Sequence, residues 1–496
     1  MNRMDPAPLR ARLGRTAELP MSAVVRLARE IAGEGGRALL VGGYVRDLLL
    51  ERDTDDADVE VYGVAAEPLE ALLARLFPDR VNAVGRAFGI FRVALAPGLD
   101  LDVSLPRTES KTGAGHRGFA VRGDPSLPFE EASRRRDFTV NALACDPATG
   151  EVLDAHGGVE DLHAGVLRAV DPHTFPEDPL RVWRAFQLAA RLSFRVEPET
   201  ASLMKRMVAR GDLAELSRER VTEELRKLLG APRPSTGLTL AFEVGALGAA
   251  FPELAALAAT PQDPEWHPEG DVWTHTLMVV DRAAAVVREG AWELSAEEGT
   301  QVLLGSLVHD VGKAPTTQEA PKDGRMRIVS PRHEVEGEPI ARAILDRLSF
   351  GEDAARAVLA IVRWHLAPGS LYYALERGEL EPRSYANAVR KLLKRIHPVR
   401  WQVLLAACEG DWRGRGIAGV GEIPFDPGLR FARAIAEERL DEAPPLPLVQ
   451  GRDVLALGVP PGPRVGTLIR EIEDARDRGE IRSRDEALEM LGRLLG

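Results

Sequence analysis

Two hydrophobic rhythms divide this chain, and a single layer architecture does not accommodate both. Up to about Leu105 the apolar residues come in short stretches, Ala38 to Val41, Val59 to Val61 and Phe88 to Leu95, which predict β-strands. An amphipathic helix is expected over residues 22–33, and a second from Tyr44 to Leu50. From about Pro179 the pattern changes to helix after helix, each roughly 10–18 residues long and broken by Pro, Gly or Asp. The expected fold class is therefore an α/β head followed by an all-α remainder. Pro-rich joints at Ala231–Pro234, Ala259–Pro264 and Asp441–Pro447 punctuate the helical part. Together with the motifs below they suggest a head over 22–150, a helical neck over 151–230, a helical body over 231–416 and a helical tail over 417–496.

Composition narrows the class. With 496 residues, 45% hydrophobic and 28% charged, bulk disorder is excluded and about three domains are expected. No apolar run approaches the roughly 18 residues of a membrane span, so no membrane partner is expected. Met1 to Arg15 is broken by Pro and Arg and reads as neither signal peptide nor anchor. Two cysteines, Cys145 and Cys408, exclude a disulfide framework and a Cys-based zinc site, which fits a cytoplasmic protein. The net charge of −12 requires any nucleic-acid partner to be held by local basic patches. Oligomeric state has no signature in the sequence.

Residues 41–61, VGGYVRDLLLERDTDDADVEV, hold the first constellation. Gly42 and Gly43 between a strand and a helix let backbone N–H groups approach a phosphate at a helix N-terminus. Asp56 and Asp58 are two apart in a strand-like stretch, so both point to one face. Two carboxylates on one face suit Mg²⁺ beside substrate phosphates. In Leu99 to Leu105, Leu101, Val103 and Leu105 face one side and Asp102 the other, so a neighbouring strand can deliver a third carboxylate. Ser133 to Ala144, SRRRDFTVNALA, sets three arginines before an apolar segment, and Arg135 and Arg136 are candidates to grip a triphosphate.

In this order and spacing, G-G-x-V-R-D-x-L-L, D-x-D and R-R-D-F-T-x-N-A-L-A resemble the class II tRNA nucleotidyltransferases, the CCA-adding enzymes and bacterial poly(A) polymerases. Three later stretches continue the likeness: Asp154 to Arg168, Glu177-Asp178-Pro179-Leu180-Arg181, and Leu216 to Leu229. The resemblance implies a polymerase-β-like head that uses CTP and ATP to extend the 3′ end of tRNA. Two metals on Asp56, Asp58 and Asp102 would then serve the transfer. Gly43, Arg46, Arg135, Arg136, Asn141, Asp178, Arg181 and Arg184 are the implied nucleotide-binding residues. Asn141 would contact the sugar. Arg46 and Asp47 would brace the site, with Arg46 within reach of the triphosphate.

Asp178 and Arg181, at i and i+3, are expected to share a helix face. Cytosine and adenine both present an exocyclic amine beside a ring-nitrogen acceptor. Asp178 accepts from the amine while Arg181 donates to the ring nitrogen; uracil and guanine present the opposite polarity. The family pattern R-x-x-R-A-x-R-F-A is broken here: Gln187 stands where arginine is usual and Leu188 where phenylalanine is usual. That departure bears on complete CCA specificity, not on nucleotidyl transfer as such.

The second constellation is H…HD…H…H…D. His275 lies in HPEGDVWTHTLM, His309 and Asp310 in GSLVHDVGK, and Asp411 in ACEGDWRGRG. His275, His309, Asp310 and Asp411 form an N/O ligand set for a borderline or hard divalent metal such as Ni²⁺ or Mn²⁺. His333 and His365, with Lys313, are placed to flank a bound phosphate. This set is similar to the HD superfamily of phosphohydrolases. With the head, it implies 2′,3′-cyclic phosphodiesterase, 2′-nucleotidase and phosphatase activity. The competing readings are an enzyme adding only CC or only A, a poly(A) polymerase, an HD phosphohydrolase with an inactive head, and a non-catalytic RNA-binding module. The tail segment, residues 448–496, reads as helical packing or a contact to the tRNA body.

Overall fold

The computed structural model describes residues 20–52, 54, 57–85, 89–111, 119–322, 324–416, 424–440, 448–477, 480–481 and 483–495. Asp56, Phe88, Met1 to Arg15 and the Asp441–Pro447 joint lie outside the described residues. The chain forms two compact units. One runs to Ala255 and takes in Arg347–Ser349; the other holds Ala256–Asp346 and the chain from Phe350.

The first unit opens with α1 (Met21–Gly33), β1 (Arg37–Val41), α2 (Gly43–Leu49), β2 (Ala57–Tyr62) and α3 (Ala66–Leu76). Then come β3 (Val81–Gly85), β4 (Ile90–Ala96), β5 (Leu99–Ser104), and a hairpin of β6 (Arg107–Lys111) and β7 (Phe119–Gly123). After α4 (Phe129–Arg134), β8 (Ala144–Cys145) and β9 (Val152–Leu153) complete a seven-stranded sheet in the order β3-β4-β5-β2-β1-β8-β9. Within it β2 and β5 run parallel and the other neighbours antiparallel.

Alternation decides which face each strand buries. In β4, Phe91, Val93 and Leu95 are buried while Arg92 and Ala94 are exposed. They share one core with Val59, Val61, Leu101 and Val103, closed by Leu27 and Ile31 of α1 and Leu69 and Leu73 of α3. The opposite face keeps the charged residues, and the register lines them up. Arg92 of β4 stands opposite Asp102 of β5, Asp102 opposite Asp58 of β2, and Asp58 opposite Val41 of β1, one residue before Gly42.

Helices follow: α5 (Gly158–Ala164), α6 (Leu180–Leu192), α7 (Pro198–Arg210), α8 (Arg218–Leu229), α9 (Pro234–Glu243), α10 (Ala246–Ala250) and α11 (Pro252–Ala255). The two-residue strands β10 (Val166–Leu167) and β11 (Arg195–Val196) pair in parallel among them.

The second unit packs α12 (Val272–Glu289) along α13 (Ala296–Val308) and α19 (Trp401–Gly414). Asp271 caps α12 by accepting from Thr274 N–H, and Ser295 with Glu298 forms a capping box on α13. Between them in sequence lie α14 (Lys313–Thr316), α15 (His333–Leu345), α16 (Glu352–Trp364), α17 (Ala367–Glu376) and α18 (Pro382–Ile396). A hairpin of β12 (Gln318–Lys322) and β13 (Arg325–Val329) interrupts the helices, where helix after helix was expected. Pro321 and the turn at Gly324 (φ +77°) favour a hairpin over a continued helix. The unit ends with α20 (Asp426–Glu438), α21 (Gly451–Ala456), α22 (Pro463–Asp477) and α23 (Arg484–Leu495). The last three enclose their own core of Val454, Ile472, Ala475 and Leu491.

Candidate active sites

At the head, Gly42 has φ +75°, which only glycine adopts without strain, and a methyl there would lie 2.7 Å from Arg136 Nη1. The turn thus needs glycine for its backbone and for the arginine beside it. The same methyl position is 3.8 Å from Asp58 Oδ2, so Gly42, Arg136 and Asp58 line one corner. Asp102 lies beside Asp58 and holds Arg92 in a bidentate pair at 2.8 and 3.0 Å. Arg92, one strand over and at the right parity, is a neighbour the sequence reading missed.

Arg46 is buried. It grips Asp47 at 2.8 and 2.7 Å and donates to Asn141 Oδ1 at 2.6 Å. Asn141 in turn donates to Asp137 Oδ1 at 3.0 Å, and Arg184 Nε donates to Asp137 Oδ2 at 2.6 Å. Arg46, Asn141 and Arg184, expected around the nucleotide, thus meet through Asp137, which links α2 to α6. Burial alone would raise the Asp137 carboxyl; Arg184 and the Asn141 and Phe138 N–H donors outweigh it and bring it down to about 2 from an ordinary 3.8. A depressed carboxylate stabilises the fold above its unfolded value and loses that contribution as pH falls through the folded value. On the order of 2 kcal/mol should therefore vanish between about pH 4 and pH 2. Asp137→Ala, which leaves the half-buried Arg184 without its carboxylate, is expected to cost about 1–3 kcal/mol and to flatten the pH dependence of the melting temperature over that range. Calorimetry of both proteins at pH 7 and pH 3 checks this.

Asp178 is not on the helical face. It precedes Pro179 in an extended conformation (φ −116°, ψ 100°), and α6 begins at Leu180. Proline disfavours the helical region for the residue before it, so Asp178 caps the helix by accepting from Leu180 N–H at 3.1 Å. Arg220 of α8 holds its carboxylate at 3.1 and 3.2 Å. Arg181 donates to the carbonyls of Thr174 and Arg135, and Arg135 pairs with Glu60 at 3.0 Å. Arg135, Arg181, Thr174, Arg107 and Arg134 line a cleft of about 440 Å³. Gln187 and Leu188 are both buried in α6, and Gln187 Oε1 has no hydrogen-bond partner among the described residues. Gly43 opens α2 as expected.

In the second unit, six expected residues converge. His275 comes from α12, His309 and Asp310 follow α13, His333 opens α15, His365 follows α16, and Asp411 comes from α19. They form two triplets, His275–His309–Asp411 and Asp310–His333–His365, each with ligand atoms within 4.8 Å of one another. Asp310 spans them: Oδ2 lies 3.2 Å from His309 Nε2 and 3.8 Å from His275 Nε2, while Oδ1 lies 3.2 Å from His333 Nε2 and 3.7 Å from His365 Nε2. His333 and His365, expected to flank phosphate, are thus inside the cluster. Lys313 is held by Asp310 (2.7 Å) and Gln262 (2.8 Å). Gly312 is required by close approach, because a methyl there would sit 2.0 Å from the His333 carbonyl.

Each ring is oriented from behind. His309, His333 and His365 direct Nδ1 at the carbonyls of Ser306, Ser330 and Val362 (2.8–2.9 Å), and His275 directs its Nδ1 at Glu269 Oε1 (2.8 Å). That leaves every Nε2 facing the cluster, the arrangement of metal-ligating histidines. His309 Nε2 and Asp310 Oδ1 are buried without a hydrogen bond of normal geometry, as atoms intended for a cation are. Burial opposes the charge on Asp310 and Asp411, but His309 with Lys313, and His275 with Arg415, hold them well below the ordinary carboxylate range. Burial and the neighbouring His309 push His365 down to about 3, leaving it neutral. The donor set fits a divalent metal.

At this centre Glu269 is the residue that sequence reasoning missed. It also meets His267 at 2.9 Å and accepts from Gly416 N–H at 2.9 Å. Glu269→Ala is expected to weaken Mn²⁺ or Ni²⁺ binding about 10- to 100-fold; calorimetric titration of the metal checks it, and unchanged affinity would mean the carboxylate has no part in orienting His275.

Residues 38–168 match the family "Poly A polymerase head domain", 193–257 "Probable RNA and SrmB- binding site of polymerase A", and 272–396 the HD domain. The Multifunctional CCA protein of Xanthomonas campestris pv. campestris (strain B100) is 38% identical over 434 residues, covering 86% of this chain and 94% of that protein. This chain belongs to the multifunctional CCA protein family. Another member, from Stenotrophomonas maltophilia (strain K279a), is 39% identical over 76% of this chain and 86% of its own length. The fold agrees with that of solved CCA-adding enzymes. An apo form matches with a TM-score of 0.63 at 19% identity, covering 99% of both chains, and the Thermotoga maritima enzyme complexed with tRNA with 0.59 at 19%, covering 100% of both. Divalent metal use goes with both the head and the HD domain of this family. Among the described residues no helix is long and apolar enough to cross a membrane.

Proposed function

We propose that the head and neck add C, C and A from CTP and ATP to the 3′ end of tRNA, and that the HD centre hydrolyses phosphate esters, including 2′,3′-cyclic phosphodiesters and 2′-nucleotides. The observation that carries the first part is the register of Asp58 opposite Asp102, beside Gly42 and Arg136. In the transfer, the α-phosphorus gains a bond to the tRNA 3′ oxygen and loses pyrophosphate. Asp56, Asp58 and Asp102 would hold Mg²⁺, which when bound would lower the pKa of the 3′-hydroxyl and offset the charge on the departing pyrophosphate. Arg135 and Arg136 grip the triphosphate. Gly42 and Gly43 let backbone approach it. Asp137 holds Arg46, Asn141 and Arg184 as the frame around these groups.

Base choice belongs to Asp178 and Arg181. Asp178 accepts from the exocyclic amine of cytosine or adenine, and Arg181 donates to the ring nitrogen. Arg220 and the carbonyls of Thr174 and Arg135 keep the pair in place, so no nucleic-acid template is needed.

At the HD centre, His275, His309, Asp310, His333, His365 and Asp411 would hold the metal, with Ni²⁺ or Mn²⁺ suited to the mixed imidazole and carboxylate donors. A bound divalent cation supplies an activated water at neutral pH and polarises the phosphoryl oxygen. Lys313 holds Asp310 in place. Both activities belong in the cytoplasm, with tRNA and free nucleotides.

The test offers tRNAs ending before CCA, after C and after CC, with CTP and ATP separately and together. Completion of all three is the expected result; no addition with Mg²⁺ overturns the reading. Gln187, which stands where arginine is usual and whose Oε1 has no partner among the described residues, favours the second reading, addition of CC or A alone, and the same assay separates the two.

A further inference from the structure

A pocket of about 300 Å³ opens beside the HD centre. Two of the six clustered residues, His365 and Asp411, reach it, and Tyr373, Arg377, Trp412 and Arg415 line it further out. Three observations describe what it would hold. The Arg415 guanidinium lies 5.3 Å from the centre of the Trp412 ring, and both line the pocket together with Asp411, so a cation borders the metal-ligand set on this side. Trp412 Nε1 and Arg415 Nε are buried donors with no hydrogen-bond partner among the described residues. Tyr373 is 40% exposed and leaves a ring face available.

Unpaired N–H donors and a cation call for an oxygen-rich anion. An exposed aromatic ring at the outer end calls for a flat, stacking group. The volume lies at the small end of ligand sites, enough for one nucleotide.

We propose that this pocket seats the nucleoside part of a phosphate ester presented to the HD centre, with the base against Tyr373 and the phosphate and ribose oxygens toward Arg415 and Trp412. This rests on the phosphohydrolase reading of that centre. What it adds to that reading is the assignment of Tyr373 to recognition of the base.

The test uses the full chain loaded with Mn²⁺ and two readouts. The first is hydrolysis of 2′,3′-cyclic AMP against glycerol 2-phosphate, which has no base. The second is calorimetric binding of adenosine 2′-monophosphate, with the difference between wild type and variant isolating this pocket. Tyr373→Ala is expected to raise KM for the cyclic nucleotide about tenfold with kcat within about twofold, and to leave glycerol 2-phosphate unaffected. Arg415→Ala should weaken both substrates, with Arg415→Lys restoring part of the loss; an unchanged circular-dichroism spectrum and retained tRNA extension show that the variants are folded. Unchanged KM in Tyr373→Ala, or losses in that variant that are equal on both substrates, overturns the proposal. Should the wild type hydrolyse neither substrate while adenosine 2′-monophosphate still binds through Tyr373 and Arg415, the phosphohydrolase reading falls and the nucleotide pocket stands. Binding indifferent to both residues removes the pocket.

Discussion

Alanine at both Asp56 and Asp58 is expected to lower tRNA extension by at least about 10³-fold, because metal stabilisation of a phosphoryl transition state supplies several kcal/mol. The structural case rests on Asp58. It lies on the face of β2 turned away from the Val59–Val61 core, opposite Asp102 and beside Gly42 and Arg136. Asp56 lies outside the described residues and is included for its two-residue spacing from Asp58, the sequence ground for a carboxylate pair. Removing both charges takes nothing from the hydrophobic core, so the sheet should persist. Hydrolysis of 2′,3′-cyclic AMP by the same variant should stay within about twofold of wild type. Loss of both activities would point to misfolding or to a wrong division of labour between head and HD centre. Primer-extension gels and a hydrolysis assay on one preparation measure both.

The converse variant, His309→Ala with Asp310→Ala, is expected to lower hydrolysis of 2′,3′-cyclic AMP by at least about 10³-fold and to leave tRNA extension intact. Asp310 touches both triplets and holds Lys313, so its removal undoes the centre as a whole. It also leaves a buried ammonium without its carboxylate, at a cost of about 3–5 kcal/mol. Asp310→Asn with His309→Ala is the companion that preserves volume and a Lys313 acceptor. Persistent hydrolysis in either variant with added Mn²⁺ would mean that the HD cluster is not where the ester is cleaved.

Much of both centres was legible in the sequence because the information was local. A period of two is enough to say that Asp102 leaves the core while Leu101 and Val103 enter it. The Gly42-Gly43 pair ahead of a helix marked a tight approach, and the structure places Arg136 there. The H…HD…H…H…D residues could be collected by type alone, since histidines are few in this chain and four of them fall in one stretch of apolar helices. One local inference failed for a local reason: the i, i+3 spacing of Asp178 and Arg181 does not share a helix face, because Pro179 starts the helix after Asp178.

What the sequence determined by itself, then, is the face each side chain takes on its own strand or helix and the order in which the motifs arrive. Only the tertiary structure decided the partners. Asp137 meets Arg184 from 47 residues away, and Arg46 meets Asn141 from 95. Arg220 reaches Asp178 across 42, and His275 reaches Asp411 across 136. Glu269 stands six residues before His275, a spacing with no helical meaning because α12 begins only at Val272; the capped turn at Asp271 folds it back behind the ring. Backbone periodicity sets a direction within one element, whereas these contacts depend on how separate elements cross, and that is settled by packing the whole core at once.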